Sequence, residues 1–84
     1  MPTEPDPAGR AELDEWERLA EKSYSDMYDV PPFGSTKSCY EDACFQFARA
    51  IEVAQRLGLD AEVERLTKRR DHIMAAYNSQ FRGL

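Results

Sequence analysis

The sequence predicts an all-α, three-helix domain, and three observations carry the prediction. Apolar residues recur at helical intervals over three stretches, no segment alternates with the period of two that a strand needs, and the breaks are marked by Pro31-Pro32 and by Gly58. At 84 residues the chain has room for one domain and not two. The helices are expected over about residues 8–28, 38–57 and 60–82, neighbours antiparallel, behind a flexible tail of residues 1–7.

The tail holds three of the five prolines and two acids, a composition that cannot bury apolar surface. Asp6 and Pro7 then supply a cap and a first-turn proline for helix 1. On that helix Leu13, Trp16, Ala20, Tyr24 and Met27 fall within about 80° of arc, with Asp14, Arg18, Glu21, Lys22 and Ser25 opposite. The segment Asp29 to Ser35 breaks the helix, because proline donates no backbone hydrogen bond and disfavours the helical region for the residue before it. Ser38 and Glu41 have capping-box spacing and are expected to open helix 2, whose apolar arc of about 120° holds Tyr40, Ala43, Cys44, Phe47, Ala50, Ile51 and Ala54. Gly58 closes it in the left-handed region, and Asp60 caps helix 3, whose stripe is Val63, Leu66, Ile73, Met74, Tyr77 and Phe81. Leu59 completes the expected core in the turn between them.

The net charge of −5 and pI near 4.8 argue against nucleic-acid binding, which needs a clustered positive surface. A mean hydropathy of −0.70 argues against a membrane span. Residues 1–42 carry four Lys/Arg against eleven Asp/Glu, and residues 43–84 carry seven against five, so opposite charges are expected to face each other across helices. Two cysteines make no disulfide framework, and no secretory leader pattern opens the chain, so the expected setting is the cytoplasm with reduced thiols.

Ala43, Phe47 and Ala50, at intervals of four and three, resemble the second helix of a tetratricopeptide repeat. Trp16, Leu19 and Ala20 resemble its first helix. The resemblance covers roughly 40 residues and implies a single helical hairpin, here closed by helix 3, with a protein-binding role rather than a reaction.

Residues that carry chemistry are sparse. No Gly-rich phosphate loop or nucleophile elbow occurs, so no enzymatic activity and no cofactor are expected. Cys39 and Cys44 diverge by about 140° on a helix, and with His72 they make three soft ligands where a structural zinc site wants four. Cys44 reads as a small core residue, His72 as a solvated one, and Glu17 and Glu21 as part of the solvated face of helix 1.

Two residues break the amphipathic pattern. Phe45 lies in the polar arc of helix 2, either as an exposed contact residue or covered by the Val30 to Phe33 loop or the tail. Arg70 lies within the stripe of helix 3, either paired with Glu17 or lining an open groove. The leading expectation is a protein-interaction module or adaptor, its contacts drawn from Phe45, Phe33 and Arg70. The alternatives are a ligand or metal sensor using Cys39, Cys44 and His72, and a structural homodimer.

Overall fold

Three helices and no strand make up the residues that the structure describes, 7–29 and 36–80 of a computed structural model. They are α1 (Pro7–Asp26), α2 (Thr36–Arg56) and α3 (Asp60–Gln80). Residues 1–6 of the tail, the Pro31-Pro32 loop, Phe33 and Phe81 lie outside the described residues, and Pro7, expected in the tail, belongs to α1. No described helix is long and apolar enough to cross a membrane.

The helix ends follow from local hydrogen bonding. Pro7 is the first residue of α1, where its missing N–H costs nothing. The helix ends at Asp26, two residues before the expected limit, because the last turn tightens: the Tyr28 and Asp29 amides donate to the Ser25 and Asp26 carbonyls, three residues back, both at 3.1 Å. Helix α2 begins by Thr36 and not at Ser38, so the expected capping box is inside the helix. Glu41 there turns toward Lys37, one turn earlier, at 3.9 Å.

Between α2 and α3 the chain makes a Schellman motif. Leu59 N–H donates to the Ala54 carbonyl at 2.9 Å, Gly58 N–H to the Gln55 carbonyl at 3.1 Å, and Gly58 has φ +72°. The Leu59 carbonyl accepts from Val63 N–H at 3.0 Å, so Leu59 is the cap of α3, and Asp60, expected as the cap, is its first helical residue. Asp60 and Glu62 still place negative charge in the first turn, where the helix dipole favours it.

Helix α2 packs against both other helices, whereas α1 and α3 meet mainly through long side chains. Its small residues Ala43, Ala50 and Ala54 are fully buried and allow close approach, and Phe47, also fully buried, contributes about 3 kcal/mol by leaving water. Leu13 and Ala20 of α1, Met27 just beyond its end, and Leu66 and Ile73 of α3 complete the core with Ile51. Trp16, Tyr24, Cys39, Tyr40, Leu57, Leu59, Val63 and Tyr77 pack around it, half-buried.

Two members of the packing lay outside the expected stripes. Val53 is 5 % exposed although it falls beyond the 120° arc, because a helix covered on two flanks buries a wider sector than one covered on one. Gly9 is buried where α1 approaches Leu57; a Cβ there would stand 2.7 Å from Leu57 Cδ2. Met74, expected in the stripe of α3, is exposed.

Charge joins α1 to α3. Arg65 donates to both carboxylate oxygens of Glu17 at 2.6 and 2.9 Å, and Arg69 to both of Glu21 at 2.8 and 2.9 Å. Glu17 and Glu21, expected to face water, therefore face α3. Glu62 holds Arg65 from one turn earlier, and the Arg69 guanidinium lies over the Tyr24 ring at 5.0 Å. The acidic first half of the sequence thus meets the basic second half across the helices.

Two predictions follow from these contacts. Gly58→Ala forces a Cβ into the left-handed region and should cost about 1 to 2 kcal/mol in urea melts. Hydrogen bonding to Arg65 lowers the Glu17 carboxyl below its ordinary 4.5, so its stabilisation is complete above that value and is lost as pH falls through the lowered folded value. The stability difference between the native chain and Glu17→Gln should accordingly be constant above about pH 5.5 and shrink on acidification. A difference that does not change with pH would exclude the Glu17 contribution.

Candidate functional site

With two flanks of α2 covered, its third side faces outward, and a row with spacing 4-3-4 runs along it: Phe45, Arg49, Glu52 and Arg56. All four are exposed, Phe45 to 55 %. Glu12 and Trp16, one turn apart on α1, stand beside this row.

Phe45 is held and not hidden. The Trp16 ring meets it edge to face, with centroids 6.2 Å apart and planes at 83°. The Arg49 guanidinium lies over its ring at 5.3 Å. Of the two readings of Phe45, the described residues support exposure; both proposed covers, residues 30–33 and residues 1–6 of the tail, are outside them.

The result is an open groove of about 470 Å³ between α1 and α2. Trp16, Phe45 and Val53 give it an apolar floor, and two ion pairs rim it, Arg56 with Glu12 and Arg49 with Glu52, each at 2.9 Å. Such exposed pairs contribute at most about 1 kcal/mol each, so the rim charges can change partners at little cost. The sequence marked Phe45 by its misfit to the polar arc, but nothing in the spacing of α1 against α2 disclosed that Trp16 and Val53 would join it.

Polar contact also fixes α1 on α2 below the groove. The Gln46 side-chain amide faces the Leu19 carbonyl oxygen at 2.9 Å and the Ser23 hydroxyl at 2.6 Å, which makes its nitrogen the atom turned toward them. Gln46 did not stand out in the sequence, since Gln is ordinary on a helix surface.

Arg70 does not line the groove, and it does not pair with Glu17, whose carboxylate is taken by Arg65. The expected buried pair is replaced because Arg65 and Arg69, one turn apart, match Glu17 and Glu21, whereas Arg70 lies on the other side of the α3 stripe. Its Nε is buried with no hydrogen-bond partner among the described residues, and Asp71 stands 3.9 Å from its guanidinium. Its positive charge acts on Cys44. Burial pushes the Cys44 thiol up, and a hydrogen bond with Tyr40 and the Arg70 charge offset this in part, which leaves Cys44 a half-buried packing residue rather than a thiolate. Next to it Tyr40 and Tyr77 stack, with planes at 8° and centroids 3.9 Å apart, and tie α2 to α3.

Among the described residues no group of three or more His, Cys, Asp or Glu stands where it could hold a metal, so Cys39, Cys44 and His72 do not converge. Both thiols are free, and His72 is exposed. Phe33, the remaining expected contact residue, lies outside the described residues. No protein-family model matches the chain, and neither does any curated protein or solved structure.

The environment of Arg70 generates a prediction. Arg70→Met keeps an alkyl chain against α2 and removes a buried donor, so it should leave stability unchanged or raise it by up to about 1 kcal/mol. A loss beyond about 2 kcal/mol in urea melts would mean that Arg70 compensates a buried acid.

Proposed function

We propose that the chain is a small protein-interaction module or adaptor with no catalytic activity of its own, and that its contact face is the α1–α2 groove centred on Phe45. One observation carries this reading: an exposed phenylalanine seated against Trp16 and covered on one face by Arg49, tryptophan and arginine being side chains enriched where binding energy concentrates in protein interfaces. The floor excludes water once covered, and the rim supplies ionic and hydrogen-bonding partners. The helices are read as antiparallel neighbours, and the α1–α2 pair as a tetratricopeptide-like hairpin whose protein-binding role this face serves. The free thiols suit a reducing cytoplasm.

Phe45→Asp tests the reading. The side chain is more than half exposed, so the substitution should cost only about 1 to 2 kcal/mol, from the lost Trp16 and Arg49 contacts, and leave the chain folded while abolishing retention of the protein that the native chain captures. Undiminished retention by a folded Phe45→Asp chain would overturn it.

A further inference from the structure

The groove selects no partner by sign of charge. Its rim holds two glutamates and two arginines, so an acidic peptide and a basic one meet the same balance. The order of the residues is more informative than their sum. Phe45, Arg49, Glu52 and Arg56 repeat at 4-3-4 spacing, the interval of a helix seam that meets a second helix. In an antiparallel pair of such seams, residues equally distant from the centre face each other. A two-fold axis between Arg49 and Glu52 sets Arg49 against Glu52 of a second copy, and Phe45 against Arg56 of that copy. Every position then meets a complementary one, and the two-fold repeats each contact.

We propose that the occupant of the groove is a second copy of this chain, docked through α2 against α2 about that axis; the proposal rests on the groove being the interaction face. Each element of it exists already within one chain. Arg49 and Glu52 pair at 2.9 Å on one α2, and in the dimer they exchange that bridge for its equivalent between copies. An arginine lies over the Phe45 ring at 5.3 Å, and in the dimer Arg56 of the second copy covers the exposed remainder of the ring. Arg56 keeps Glu12 as its carboxylate while it does so, which prevents an unpaired charge at the interface. The exchanged bridges are surface pairs of modest strength, so the dimer is weak and concentration-dependent.

The order of charges gives a test that folding defects cannot imitate. Sedimentation velocity of the native chain from about 10 μM to about 1 mM should show the mass rising from 9.6 kDa toward twice that value. Phe45→Lys, Arg49→Glu and Glu52→Arg should each weaken association about tenfold or more, each by setting like charges opposite each other twice. Mixing Arg49→Glu with Glu52→Arg should restore it, because in the mixed dimer both facing pairs are again opposite in sign. A chain that remains monomeric at about 1 mM overturns the proposal, as does association that none of the three substitutions weakens, or a mixture that associates no better than its components. If the native chain is monomeric and its capture of another protein still depends on Phe45, self-docking fails and the interaction reading stands; if Phe45 affects neither, both fail.

Discussion

Everything in this chain depends on α2 having to bury two flanks at once. A helix that packs on one side needs a stripe, and one that packs on both needs most of its circumference apolar or small. Helix α2 meets the demand with Ala43, Ala50 and Ala54 where backbones approach, Phe47 where they leave space, and Val53 at the margin. The remaining sector is all that faces solvent, which is why the groove residues fall in one row on it. The exposed face is the geometric remainder of the packing.

The two neighbours of α2 are attached by different physics. Helix α3 follows through a turn whose geometry is set by Gly58 and its paired amide bonds, and it is held by Leu66, Ile73 and the Tyr40–Tyr77 stack. Helix α1 adds the Gln46 contacts to its apolar packing and reaches over to α3 with two bidentate carboxylate–guanidinium pairs. Salt therefore bears on the α1–α3 contact and hardly on the apolar packing of α2.

Helix number, the Gly58 closure and most of the core were legible in the sequence, because each is a local or periodic property: apolar spacing, a required positive φ, a run of small residues. What was not legible is relational. Glu21 points away from the apolar stripe of α1 by its own periodicity, and only the position of Arg69 on another helix turns it inward. Arg70 was conspicuous as a charge within a stripe, yet its partner could not be chosen without knowing which side of α3 faces α1, and Arg65 takes the acid that the stripe assigned to Arg70. The groove was half legible. Phe45 stood out as a misfit, whereas Trp16 was counted as core and Val53 fell outside the expected arc, because neither sees the other until α1 and α2 are placed together.

The Glu17, Glu21 and Arg65, Arg69 pairs also act as a vernier. Apolar packing between two helices fixes their register through shape alone. Charges one turn apart fix it by sign. If α1 slipped by a turn, one carboxylate would find the wrong guanidinium and the other none, so half of the α1–α3 ionic contact would vanish together with the Gly9–Leu57 and Gln46–Leu19 contacts to α2. The charged pairs between α1 and α3 thus require the same alignment that the close packing of α1 on α2 requires.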